Sequence, residues 1–131
     1  MKISAKHPEQ FFQDGRGPTL EAVHFLPGSY ALKAIDFVPP DDSPMKHMVF
    51  VHPQVFMFSP EEVADYPSSM VPWGKLNHAA LASLGKSDWY NSFAQTHLSK
   101  CEHFCAMFYD EYLDVICEDI IIREGGYVHE L

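Results

Sequence analysis

Basic residues are scarce in this sequence: nine Lys and Arg stand against 18 Asp and Glu over 131 residues, a formal charge of −9. Affinity for nucleic acid and for anionic membrane surfaces comes from clustered Lys and Arg, so this balance argues against both as partners. Long apolar runs are missing too. Apolar runs such as residues 48–51 and 55–58 are strand-sized, against the ~20 residues of a membrane span. The N-terminus opens with Lys2 and Lys6 but has no apolar stretch behind them. No signal peptide is read there, and the expected location is the cytoplasm. Cysteine is sparse and odd in number, at three, which fits reduced thiols better than a disulfide framework.

Most signatures of known chemistry are absent as well. Gly15-Arg16-Gly17 lacks the remaining spacing and the preceding strand of a phosphate loop. There is no serine nucleophile elbow. Histidine is plentiful at eight, but it forms no H-x-H or H-E-x-x-H pattern, and paired C-x₂-C zinc knuckles are missing. No internal repeat or low-complexity tract occurs.

What remains is ample core material. Hydrophobic residues make up 47% and aromatics 14%. A chain of this length buries roughly two-thirds of its unfolded surface. Residues 1–131 are therefore expected to form a single domain that needs neither disulfide nor metal to fold.

Along the chain, residues 8–12 read as a short helix, broken by Gly15, Gly17 and Pro18. Thr19–Phe25 and residues 30–38 read as strands joined by a Pro27-Gly28 turn. Residues 47–52 and 54–58 read as two more, with Pro53 marking a turn, bulge or edge. Ser59-Pro60-Glu61-Glu62 has the form of a helix start, stopped by Pro67. In residues 73–84, Leu76, Ala79, Ala80, Leu81 and Leu84 recur at helical spacing before Gly85. Ser87 reads as the cap of a further helix with Trp89, Tyr90, Phe93, Ala94, His97 and Leu98 on one broad stripe. Residues 102–109 and 112–123 flank Asp110-Glu111 as a C-terminal β-hairpin. The expected class is α+β: a mainly antiparallel sheet with two or three helices packed on one face.

Two readings of function emerge. The preferred one is a non-catalytic binding or regulatory domain. From Glu102 onward there are eight acids and one base, Arg123, so the excess charge sits on the C-terminal hairpin. Such a surface suits a protein partner, basic in character, or self-association. Asp114, Glu118 and Asp119 are its candidate contacts. The plainer reading of the same charge is solubility, with Glu118-Asp119 guarding an edge strand.

The alternative is a metal-binding domain or small metal-dependent enzyme. On a strand, Cys101, His103 and Cys105 project to one face, and all three are zinc ligands by type. Whether Cys117 joins them depends on hairpin register: opposite Cys105 with a three-residue loop, or facing away beside Phe104 with a two-residue loop. A cysteine nucleophile is disfavoured, because the acidic surroundings raise a thiol's pKa. His24, His47, His52 and His78 are a further set that the fold could bring together.

Overall fold

The computed structural model describes residues 2–93 and 96–129. The architecture is two antiparallel sheets packed face to face. Among the described residues the nine strands are β1 (Ser4–Ala5), β2 (Thr19–Phe25), β3 (Leu32–Val38), β4 (Lys46–Val51), β5 (Val55–Pro60), β6 (Leu81–Gly85), β7 (Glu102–Met107), β8 (Glu111–Cys117) and β9 (Asp119–Glu124). One sheet runs β1-β6-β7-β8-β5 and the other β2-β3-β4-β9. Among the described residues the only α-helix is α1 (Asp88–Asn91). Single 3-10 turns occupy Glu61–Val63, Ser68–Met70, Trp73–Lys75 and Thr96–Leu98.

The α+β expectation is thus corrected to an all-β sandwich. The predicted helix at residues 73–84 is a 3-10 turn followed by β6. Pro72 and Gly74 weaken a helix at its start, and ladder bonds to β7 outweigh a marginal helical pattern. In β6, Leu81 enters the intersheet core while Ala82 and Leu84 face the other side, so one short segment served two periods. The Ser59–Glu62 start yields only the Glu61–Val63 turn, because Ser59 and Pro60 complete β5. Ser87 does cap a helix, accepting from the Tyr90 N–H, but that helix lasts four residues; Ala94, assigned to its stripe, lies outside the described residues. Residues 8–12 form a turn, with the Phe11 N–H bonded to the His7 carbonyl at 2.9 Å.

The core between the sheets follows strand alternation. Ile35 and Phe37 of β3 and Met48 and Phe50 of β4 face Phe104, Leu113 and Val115 of β7 and β8. Phe11 enters from outside both sheets and meets Phe37 and Phe108 edge-on, at 4.8 and 5.3 Å.

The five-stranded sheet is covered on its outer face too. Val71, Trp73 and Leu76 pack over Ala82, Leu84 and Cys105, while Tyr90, Leu98 and Cys101 pack over Ile116. Irregular straps therefore do the covering that helices were expected to do.

The expected second strand of the hairpin is two strands. Glu118 interrupts it, and the chain passes from one sheet to the other between β8 and β9. The ladder pairs Glu102 with Cys117, Phe104 with Val115 and Cys105 with Asp114. This differs from both anticipated registers. Pairing stops at Met107–Tyr112 because Phe108 turns into the core and the Tyr109 N–H bonds to the Pro18 carbonyl.

One side of the sandwich is closed and the other is open. On the β9 side, Lys6 pairs with Asp119 at 2.7 Å and His7 Nε2 donates to the Ile120 carbonyl at 2.7 Å. On the opposite side the edge strands β2 and β5 lie near each other, with Phe25 and Phe56 rings 6.0 Å apart. Leu20, Val23, Phe56 and Phe58 there are only partly buried.

Candidate functional site

The residues singled out as metal ligands lie on or beside β7, inside the protein. His103 and Cys105 project from the outer face of the five-stranded sheet, and both are fully buried beneath the straps. Cys101 precedes the strand and is buried with Tyr90, Leu98 and Ile116. Cys117 faces the intersheet core. Among the described residues, no group of three or more His, Cys, Asp or Glu is placed to hold a metal ion.

What His103 does instead is hydrogen bond on both ring nitrogens. Nε2 donates to Asp114 Oδ1 at 2.7 Å, and Nδ1 meets Ser87 Oγ at 2.7 Å. With the ring neutral, the Ser87 hydroxyl donates to Nδ1. Ser87 Oγ also accepts the Tyr90 N–H at 3.1 Å. The chain Ser87–His103–Asp114 therefore ties the first turn of α1 to β7 and β8.

This is a serine–histidine–aspartate set in composition, but not an accessible site. His103 and Asp114 have no exposed surface, Ser87 is 4% exposed, and the cavity before it is about 10 Å³, room for about one water and no substrate. Its chemistry is that of a buried polar tether. Asp114 Oδ2 has no hydrogen-bond partner among the described residues. The Cys105 thiol lies across the ladder from Asp114, and burial, reinforced by the carboxylate's charge, pushes its pKa well up.

The other two thiols are shifted the same way. Burial raises the Cys101 pKa, with Glu118 adding to it. Burial raises that of Cys117 too, with Cys101 and Asp119 contributing. None has the depressed pKa of a cysteine nucleophile.

The three acids proposed as partner contacts separate in space. Asp114 is interior and belongs to the tether, so it is corrected from a surface contact to a structural residue. Its position was open to misreading because β8 is apolar on both faces. Glu118 is half-buried and bonded to His52. Asp119 is half-exposed and bonded to Lys6. Burial acts to raise the Asp119 pKa, but the hydrogen bonds from Lys6 and the Ile120 N–H outweigh it, and the net shift is downward.

The hairpin's free charge lies at its tip instead. There Asp110 and Glu111 join Glu62 at the mouth of a groove of about 600 Å³. Its walls are apolar: Leu20 and Val23 of β2 on one side, Phe58 of β5 on the other. The Glu61 N–H bonds to the Asp110 carbonyl at 2.7 Å and fixes the tip against the end of β5. Glu62, Asp110 and Glu111 form no salt bridge among the described residues, whose ion pairs are those of Lys6, His24, His52 and His103. The nearby Arg16 is turned to Tyr109, donating to its hydroxyl at 2.9 Å. Burial, with the Asp110 charge behind it, holds the Glu111 carboxyl above its usual pKa.

The groove exists because two edge strands meet. β2 is bulged between Leu20 and Ala22 and again between His24 and Phe25, which twists it off a regular ladder. Phe25 at 41% and Leu26 at 42% exposure extend the apolar seam past the groove. Sequence reading located the acidic tip but not Glu62 or the β2 wall. Those lie about fifty and ninety residues away along the chain, and only sheet packing brings them to the hairpin.

Of the histidine set, His24 and His47 come to the same outer face of the four-stranded sheet, whereas His52 and His78 lie elsewhere. No helix among the described residues is long and apolar enough to cross a membrane. Comparison with family models, with curated proteins and with solved structures finds no match, so the reading of function rests on the geometry of this chain.

Proposed function

We propose that this protein is a non-catalytic binding module whose groove between β2 and β5 takes an extended segment of a protein partner. The observation that carries this reading is the combination in one place: an apolar trough between two sheet edges, closed at one end by Glu62, Asp110 and Glu111, with no cation paired to them among the described residues. Apolar side chains of the partner would lie on Leu20, Val23 and Phe58, and a Lys or Arg would follow at the acidic end. Edge strands supply backbone partners to such a segment as well.

The charge favours one polarity of ligand. Burial, and the Asp110 charge with it, raise the Glu111 pKa, so an arriving cation relieves a repulsion already present. This keeps the acidic hairpin as the contact element but moves the contact from Asp114, Glu118 and Asp119 to the tip.

A peptide library displayed on phage and selected on the immobilised full chain tests the proposal. The expected selection is enriched in apolar-x-apolar sequences followed by Lys or Arg. Binding should fall about tenfold or more in Asp110→Lys/Glu111→Lys, which leaves the core untouched, and likewise in Leu20→Asp. Selected peptides that bind both variants as tightly as the original chain would sink the reading. So would selection of acidic peptides.

A further inference from the structure

A second, independent cavity lies on the outer face of the four-stranded sheet, and its chemistry is opposite to that of the groove. It begins with a cross-strand row. Register places Asp36 of β3 opposite His47 of β4, and His47 opposite Arg123 of β9. These three residues therefore share the face turned away from the core.

The segment after β9 folds back over that row and is clipped down by two hydrogen bonds. The Tyr127 N–H donates to Asp36 Oδ1 at 2.7 Å. His47 Nδ1 donates to the Gly125 carbonyl at 2.9 Å. Because a carbonyl only accepts, the His47 proton sits on Nδ1, and Nε2 is left without a partner among the described residues. Asp36 is fully engaged, since its Oδ2 accepts from His24 Nε2 at 2.8 Å.

The folded-back segment turns the sheet face into a cavity of about 580 Å³, within the usual range for small organic ligands. Three rings line it: His47, Tyr127 and His129, with Tyr127 5.7 Å from His47 and 4.9 Å from His129. Lys33 and Arg123 also line it, and neither has a carboxylate partner among the described residues. Glu124 is the one acid in the lining. In a chain of charge −9, two cations without a carboxylate partner among the described residues make a local reversal of sign.

From this we infer that the cavity binds a planar organic anion: an aromatic ring carrying a phosphate or a carboxylate. The anionic head group meets Arg123 and Lys33, through charge-assisted bonds. The ring lies against Tyr127 and His129, at the spacing aromatic pairs prefer. Inorganic phosphate alone would leave most of the cavity unfilled. Asp36 acts as a positioning residue, orienting His24 and holding the Tyr127 backbone.

Phenyl phosphate and benzoate, titrated into the full chain and followed by NMR of the histidine and tyrosine ring signals, test this. The expected result is saturable movement of His47, Tyr127 and His129 together. The head group that binds more tightly names the ligand's class. Phenol at the same concentration should leave these signals in place, and inorganic phosphate should compete weakly. Arg123→Gln, at an exposed position of β9, should weaken binding about tenfold with the melting temperature unchanged, and Arg123→Lys should restore part of it. Overturning results would be equal binding of phenol, shifts scattered over surface lysines rather than these rings, or binding unchanged in Arg123→Gln. None of these outcomes bears on the β2/β5 groove, which shares no lining residue with this cavity.

Discussion

Replacing Asp114 with Ala removes the carboxylate that receives the His103 Nε2–H in a fully buried pair. Two costs combine. A charge-assisted hydrogen bond is lost, and a ring N–H is left buried with no acceptor, at about 1–3 kcal/mol for the orphaned group. Breaking one partner of a buried pair costs about 3–5 kcal/mol in measured cases. Asp114 Oδ2 is already unsatisfied, which lowers the net loss, so about 3 kcal/mol is expected. Urea unfolding at neutral pH reads this directly. With a denaturant slope of roughly 2 kcal/mol per molar, the midpoint should fall by about 1.5 M. Replacing both partners, His103→Leu with Asp114→Val, should recover most of that loss, because no polar group is then stranded except the Ser87 hydroxyl, which keeps the Tyr90 N–H. A loss below about 1 kcal/mol in Asp114→Ala, or a double variant as unstable as the single one, would refute the tether.

Three further outcomes follow from the same structure. Gly17→Ala should destabilise by about 1–3 kcal/mol in thermal unfolding, because an added Cβ would lie 2.3 Å from the Met107 carbonyl oxygen and 2.9 Å from the Phe108 carbonyl carbon, both backbone atoms. Glu111→Gln should raise the melting temperature slightly at pH 7, by less than about 1 kcal/mol at this partly exposed site. A carboxyl whose folded pKa lies above its unfolded value stabilises the fold when protonated and loses that contribution as pH rises through the folded pKa, so the gain should vanish below about pH 4.5. Ellman titration at pH 8 should find no rapidly reacting thiol in the folded protein and three after unfolding, since Cys101, Cys105 and Cys117 are all buried and free.

The strands were the most legible part of the sequence. β2 and β3 were anticipated nearly residue for residue, because alternation of Ile35 and Phe37 with Ala34 and Asp36 has the period of a strand and Pro27-Gly28 marks the turn between. Residues 73–84 were misread because Leu81, Ala82 and Leu84 put apolar side chains on both faces of β6, which is covered on both faces. A doubly buried strand has no clean two-residue period to read. The Cys101, His103 and Cys105 spacing correctly implied a shared side for His103 and Cys105. Ligand geometry is another matter, since it depends on what lies opposite, and the register put Asp114 there.

The sequence by itself determined the local quantities: the acidity of the hairpin tip, the turns at Pro and Gly, the alternation of β3, and the capping of α1 by Ser87. Each depends on residues within a few positions of one another, where backbone sterics and side-chain type suffice. The tertiary structure alone decided that Asp114 is interior while Asp110 and Glu111 are free. It alone set Glu62 and the β2 wall beside that tip, and brought His47 and Arg123 under Tyr127 and His129. Those placements depend on strand register and on how the sheets stack, and a shift of one residue moves every side chain to the opposite face.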